Sequence, residues 1–431
     1  MIGRKLRTSW LRGLFPRPLF DNIPPVTISP ESTGTTPILD SAVRVKVKKN
    51  NLGSTLFSLL MGIPFAIVLI AASNSARDER NPAANLVFIF YFLSLVLAVI
   101  VHELGHLLAG WVVGFRFSSI TIGPVSLRKE YGSLKIRLRR ALPTGGYAGM
   151  HVDHVRRLRR RLLVFTVAGP AANLLSAAAI AVFLAYVNPT AGWLSLSLDI
   201  FLRISVIIGL ANFMPFRLGI LYPDGARIAT LFLSRAKSRR WMSLTAIGNQ
   251  SRLGVRPKLW KRTWLNAAGA VRDESVDDFA GNWVAYTAAN DREDVPVAAL
   301  HLERCLELVC LLGPSLQDLV ALEAPVFTGW FQLNAAIAEK WLKRVKKIQA
   351  LPQLLQIRAD IAIHCARKEF VPALARWQDA FAFIEKLPPT TLKKSMAEGF
   401  EEWRREILER QRSEAPAADL NSPVQVGANS S

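Results

Sequence analysis

His102 and His106 stand four residues apart in Val-Ile-Val-His-Glu-Leu-Gly-His-Leu-Leu-Ala-Gly, with Glu103 directly beside the first of them. On a helix, positions i and i+4 share a face, so both imidazoles can reach a single ion. The carboxylate of Glu103 then sits where it can take a proton from a metal-bound water. The pattern His-Glu-x-x-His is short, and its weight comes from context. The chain holds only 6 His in 431 residues, and two of them fall here, inside an otherwise apolar run.

Zinc catalysis needs three protein ligands and one open position. The best third ligand is Asp224, in Leu221-Tyr-Pro-Asp-Gly-Ala-Arg, which follows an apolar run. Gly225 would let the backbone pass close to a ligand. An ordinary turn Asp before Gly fits the same residues, and spacing alone leaves the two readings even. Other polar residues in apolar surroundings carry weaker chemistry. Asn173, with Gly169, Ala171 and Ala172, suits close helix packing, its amide bonding across helices, better than it suits catalysis. Asp199 and Arg203 stand at i and i+4 and are expected to pair with each other. His151 and His154 lie in a basic loop and are expected to face solvent rather than bind metal.

The elements that must position these groups read as membrane spans. Ser54–Ser73 is a charge-free stretch long enough to cross a bilayer, and Ala83 to about Gly114 is a second that holds the His-Glu segment near its far end. Leu162–Val187 and Trp193 to about Phe216 are the third and fourth. Between spans two and three, Phe117–Ile122 and Leu134–Leu138 alternate with period two, with Gly132 between them, which predicts a β-hairpin. Leu142-Pro-Thr-Gly-Gly-Tyr147 then supplies turn chemistry.

A mean hydropathy of +0.23 alongside 20% charged residues implies that apolar runs and charge are segregated along the chain. The formal net charge of +21 is explained by basic loops beside spans, and no groove-reading motif for nucleic acid is present. Residues 1–50 carry nine Lys or Arg against three acids, and residues 116–161 twelve against two, whereas the links 74–82 and 188–192 hold two Arg matched by acids. This bias predicts four spans with both termini cytoplasmic and the His-Glu-x-x-His segment toward the cytoplasmic end of span two. Residues 1–50 read as a flexible basic tail without an apolar leader core, so the first span is expected to act as the targeting signal. The clusters Arg156–Arg161 and Arg235–Arg240 would meet anionic headgroups. The three cysteines, Cys305, Cys310 and Cys365, fit reduced thiols in a cytosolic helical domain rather than a disulfide framework or a zinc ribbon.

Beyond the spans, residues 235–281 are basic and contain Trp241, Trp260 and Trp264. A surface helix and an interfacial segment at headgroup level both fit. Residues 282–411 read as helices throughout. Trp283–Asp291 followed by Ala298–Leu306, and Ile357–Ala366 followed by Pro372–Phe381, resemble helix pairs of tetratricopeptide type, although the spacing is irregular enough for a plain α-helical domain. Residues 412–431 form a polar tail, expected to be disordered.

Four stretches together resemble the site-2 protease family of intramembrane zinc metalloproteases (M50-type). They are His102-Glu-Leu-Gly-His106, Leu142-Pro-Thr-Gly-Gly-Tyr-Ala-Gly-Met150, Ala168-Gly-Pro-Ala-Ala-Asn173, and Asn212-Phe-Met-Pro215 followed by Asp224-Gly225. They occur in the family's order and cover residues 85–230. One departure is the path from Asn212 to Asp224, twelve positions long, which resembles a branch with a longer linker. The resemblance implies that His102, His106 and Asp224 bind one zinc ion, that Glu103 is general base and acid, and that Asn212 helps to position the substrate peptide.

The expected fold is therefore mostly α: a polytopic α-helical membrane protein of about four spans, with a small β-hairpin after span two and a C-terminal α-helical cytosolic domain. The expected function is zinc-dependent intramembrane endopeptidase, acting on a membrane protein substrate, with residues 282–411 recruiting or gating it. The hairpin would serve either as a plain structural element or as a strand onto which an unwound substrate adds. The layout fits a bacterial plasma membrane. The alternative is a catalytically inactive, membrane-anchored helical scaffold of the same fold. An intact base and ligand set argues against it, because an inactive core has no evident need to keep the base.

Overall fold

Three long apolar runs form the scaffold on which everything else is placed. The computed structural model describes residues 66–68, 70, 86–130, 133–138, 145–187, 192–215 and 222–414. Among these residues, helices α1 (Val87–Val112), α2 (Leu158–Val187) and α3 (Gly192–Asn212) are long and apolar enough to cross a membrane. At 1.5 Å per residue they measure roughly 39, 45 and 32 Å, against a hydrocarbon core of about 30 Å. The predicted first span, Ser54–Ser73, lies outside the described residues except for 66–68 and 70, which are helical. Val68 in that fragment is buried with Ala98 of α1 and Ile200, Ile204 and Ile208 of α3. The tail 1–50, the turn residues 141–144 and the tail from 415 onward also lie outside the described residues.

The spans differ from expectation at their ends, for identifiable reasons. Helix α2 begins at Leu158, four residues before the predicted Leu162, and so takes three Arg into its first turn. Arg161 is accommodated there because its guanidinium reaches back to the C-terminus of α1. It donates to the carbonyls of Val113 (2.8 Å) and Gly114 (3.1 Å), and pairs with Asp153 at 2.5 Å. Carbonyls at the end of a helix lack internal donors, so a cation placed there is favourable. Helix α3 ends at Asn212 rather than near Phe216, and Phe213-Met-Pro215 leaves it as an irregular segment. Asp199 and Arg203 form the expected i,i+4 pair at 2.7 Å.

The predicted hairpin is replaced by a four-stranded antiparallel sheet. Strands β1 (Phe115–Ile122), β2 (Val125–Glu130), β3 (Ser133–Leu138) and β4 (Gly146–Val152) lie in the order β3-β2-β1-β4. The two alternating runs do not pair with each other, because β2 lies between them. Gly123, at φ +54°, and Pro124 reverse the chain immediately after β1, so that Ile122 faces Val125. Strand β2 shows no clean alternation in the sequence, because its consecutive exposed positions Arg128 and Lys129 are both charged. The stretch read as turn chemistry continues as β4, whose Gly146, Tyr147 and Ala148 pair with Ile122, Thr121 and Ile120. Both β1 and β4 pack against α1.

The remainder is helical: α4 (Asp224–Leu233), α5 (Arg235–Arg252), α6 (Arg262–Gly269), α7 (Val276–Asp291), α8 (Val295–Glu307), α9 (Pro314–Trp330), α10 (Ala335–Leu342), α11 (Gln353–Ala366), α12 (Phe370–Glu385) and α13 (Thr391–Glu414). Within the basic segment 235–281, Trp260 and Trp264 are buried with Ile247, Leu265, Ala268 and Ala288. The consecutive helices α7 and α8 pack through Ala289, Ala298, Ala299 and Leu302, and α11 and α12 through Ala362, Ala373 and Ala380. Small residues at these positions let neighbouring helices approach closely.

Helix α13 is tied back to the segment before α6. Glu402 accepts from Arg256 at 2.7 and 2.8 Å and from Lys258 at 2.8 Å, and Arg256 also pairs with Asp291. The Arg256 guanidinium, then Lys258, hold the Glu402 carboxyl down at about 2, from its usual 4.5. A depressed carboxyl contributes stability above its unfolded value, and that contribution is lost as pH falls from about 4.5 toward about 2. Glu402→Gln is therefore expected to lower stability by about 1 kcal/mol at neutral pH and to flatten the acid limb of a pH-dependent denaturation curve. A variant with the wild-type acid limb would show that the clasp contributes nothing.

Candidate metal centre

Helix α1 presents His102, Glu103 and His106 on its inward side, all three buried. Asp224 arrives from a distance of more than a hundred residues as the first residue of α4. His102 Nε2 lies 3.0 Å and His106 Nε2 3.2 Å from the same oxygen, Asp224 Oδ2, and the two Nε2 atoms are 3.2 Å apart. These residues form the one group among the described residues whose ligand atoms could together hold a metal ion.

The other ring nitrogens decide what these three atoms can be. His106 Nδ1 donates to the Phe165 carbonyl at 2.7 Å, since a carbonyl can only accept. Asn173 settles His102 in the same way. Its Nδ2 donates to the Ala98 carbonyl at 2.9 Å, so its Oδ1 faces His102 Nδ1 at 2.8 Å and must accept from it. Each imidazole thus carries its proton on Nδ1 and turns the Nε2 lone pair inward. Two such lone pairs and a carboxylate oxygen facing one another have no proton to share, and a cation would satisfy all three. The edge of a tetrahedron with bonds of about 2.0–2.1 Å is about 3.3–3.4 Å, close to the three separations observed. The residues present fit a zinc ion.

Close backbone approach makes this convergence possible. A Cβ on Gly169 of α2 would fall 2.3 Å from His106 Nε2, so a side chain there would displace the ring. A Cβ on Gly225 would meet the Phe213 carbonyl oxygen at 2.2 Å. The tight passage anticipated at Gly225 is therefore against the irregular segment after α3, not against a ligand. Glu103 is approached closely from the sheet side: a Cβ on Gly146 of β4 would fall 2.2 Å from its Oε1.

The side-chain bond of Asn212 lies within its own helix, where its Nδ2 donates to the Ile208 carbonyl at 3.0 Å. His151 is partly buried in β4 and His154 is largely exposed beside Asp153 and Arg161. Asn173 bonds across helices, as expected, and its partner is the His102 ring; it is completely buried. The available signal was a carboxamide in an otherwise apolar span, a setting in which polar groups mark functional sites. Outer partners of ligating His commonly govern metal affinity by about 10–100-fold. Asn173→Ala is expected to weaken zinc binding within that range, measured by chelator competition. Undiminished affinity would reduce Asn173 to a packing residue.

Residues 90–271 match the family model described as peptidase family M50. A protein of Chlamydia trachomatis serovar D (strain ATCC VR-885 / DSM 19411 / UW-3/Cx), named "Putative zinc metalloprotease", is 44% identical over 62 residues. That match covers 14% of this chain and 10% of the relative. No solved structure matches the chain.

Proposed function

We propose that this chain, which carries the peptidase family M50 match over residues 90–271, is a zinc-dependent intramembrane endopeptidase. The observation that carries the reading is the trio of inward-facing acceptors on His102, His106 and Asp224, their ring protons committed elsewhere, with the Glu103 carboxylate on the same helix face. Zinc held by those three atoms would supply Lewis acidity toward a peptide carbonyl and toward water.

The chain's own residues do the rest. Glu103, packed closely against Gly146 of β4, takes a proton from the attacking water and returns it to the departing amide nitrogen, so that one carboxylate serves as base and then acid. Asn173 and the Phe165 carbonyl keep both rings in the ligating tautomer throughout. The apolar spans on which these groups sit limit water to the site itself, and the substrate is a transmembrane or membrane-proximal segment whose helix must unwind to expose its carbonyls. Asn212, at the end of α3, is assigned to holding that peptide. Of the two basic clusters, the exposed Arg156, Arg157 and Arg235 face the anionic headgroups of a bacterial plasma membrane, with both termini cytoplasmic, whereas Arg161 and Arg240 are buried in ion pairs within the fold. The helical domain, with the α7–α8 and α11–α12 pairs as tetratricopeptide-like units, recruits or regulates the substrate in regulated intramembrane proteolysis.

The test is reconstitution into lipid vesicles with single-span substrates, measuring cleavage together with bound zinc. Zinc near one equivalent and chelator-sensitive cleavage are expected. A purified protein that holds no zinc would overturn the site, and zinc without cleavage of any such substrate would favour the scaffold reading.

A further inference from the structure

The helix that carries Asp224 is only ten residues long, and a cation from within it fastens it to the helical domain. Arg227, one turn after Asp224, lays its guanidinium over the Tyr222 ring at 4.0 Å and near the Trp241 ring of α5 at 5.2 Å. Its Nη1 and Nη2 donate to the two oxygens of Asp277 at 2.9 and 3.4 Å. One side chain therefore grips the backbone on both sides of the third acceptor: Tyr222 two residues before it, and its own position three residues after.

Asp277 lies in the first turn of α7, and that turn gathers charge from four helices. Ser275 caps α7 by accepting from the Asp278 N–H at 3.0 Å. Asp273 pairs with Arg240 at 3.0 Å and Lys237 at 2.9 Å, both from α5. Asp278, fully buried, receives Arg304 of α8 at 2.7 Å. Arg227 brings α4 into the same cluster. The Arg227–Asp277 pair is forked and mostly shielded, with side chains 23% and 17% exposed, which separates it from the exposed pairs that contribute little.

We propose that the Arg227–Asp277 pair couples the cytosolic helical domain to the metal centre, setting the position of Asp224 so that a shift of α7 changes metal affinity. The proposal rests on the reading of His102, His106 and Asp224 as a zinc site. Arg227 is a positioning residue: it touches none of the acceptors, and acts through the first turn of α4. Because Asp224 is the first residue of that helix, a tilt of α4 moves Oδ2 directly, and misplacement of a reacting or ligating group by about 1 Å is enough to cost a site much of its function. A partner engaging the helical domain would then be registered at the third ligand.

The experiment uses the full chain in detergent. Zinc affinity is measured by competition with a chromophoric chelator, and folding by thermal melting, for wild type, Arg227→Gln, Asp277→Asn, Arg227→Lys and Arg304→Gln. Arg227→Gln and Asp277→Asn are each expected to weaken zinc binding by about tenfold, the magnitude typical of outer partners. Arg227→Lys keeps the cation toward Asp277 and over the Tyr222 ring, and is expected to retain most of the wild-type affinity. Arg304→Gln removes a cation from the same cluster without touching α4, so it should lower the melting temperature and leave zinc affinity at the wild-type value. Wild-type affinity in both Arg227→Gln and Asp277→Asn would overturn the coupling while leaving the zinc site standing. An equal loss of affinity in Arg304→Gln would overturn it as well, by showing a general effect of instability. A wild-type protein that binds no zinc would overturn both the coupling and the site.

Discussion

Replacing Glu103 with Gln is expected to lower cleavage of a single-span substrate by about 10²–10⁴-fold while bound zinc stays at the wild-type level. The two halves of this result come from different parts of the geometry. Metal would be held by His102, His106 and Asp224, whose acceptor atoms converge without the Glu103 carboxylate. Gln keeps the size and polarity of Glu and fits the same space beside Gly146, so the rings and the sheet contact have no reason to move. What Gln cannot do is take a proton from water and deliver it to an amide nitrogen. Cleavage measured in vesicles, with zinc quantified in the same preparations, checks both halves. Equal cleavage by the two proteins would sink the mechanism, and zinc lost along with cleavage would mean that Glu103 belongs to the ligand set.

The second large effect is expected at the third ligand. Asp224→Ala should weaken zinc binding by more than about 100-fold, exceeding the range for outer partners, and abolish cleavage with it. Asp199→Ala is the matched control. Asp199 is also an acid in the membrane core region, but it pairs with Arg203 at 2.7 Å and both side chains are largely exposed, away from the buried rings. Its loss should leave zinc in place. If Asp199→Ala released metal and Asp224→Ala did not, the assignment of the carboxylate ligand would be wrong. The contrast is informative because Oδ2 of Asp224 lies within 3.2 Å of both Nε2 atoms and has no competing cation at that distance among the described residues.

His102, Glu103 and His106 were legible because local chemistry suffices for them. Their spacing of four on a helix determines a shared face before any tertiary contact exists, and three polar groups in an apolar run demand a purpose. The three long helices were legible for a similar reason: a bilayer admits few solutions for a predominantly apolar run of about twenty residues. The helix ends were less so. Arg161 draws α2 back to Leu158 through carbonyls that belong to another helix, 47 and 48 residues earlier in the chain. The sheet was read with too few strands, because β2 and β4 lack clean alternation and owe their pairing to Gly123-Pro124 and to the flank of α1.

Asp224 and Asn173 mark the boundary between what sequence alone determined and what folding decided. Asp224 was one of two even readings until motif resemblance favoured it, since nothing local distinguishes a ligand Asp-Gly from a turn Asp-Gly. Only the docking of α4 against the end of α3, where Gly225 meets the Phe213 carbonyl, brings its carboxylate to the two rings. Asn173 was read correctly as a cross-helix hydrogen-bonding residue, yet its role as the group that orients His102 depends on which atoms of α1 lie opposite it. A single amide bonded to both the Ala98 carbonyl and the His102 ring fixes a tautomer, and that requires two helices at one crossing distance. Sequence determined the identity of the helix that carries His102 and His106 on one face, because periodicity is a property of a chain by itself. The placement of Asp224, the ring orientation and the contact with α7 are relations between distant segments, and those exist only once the helices have packed.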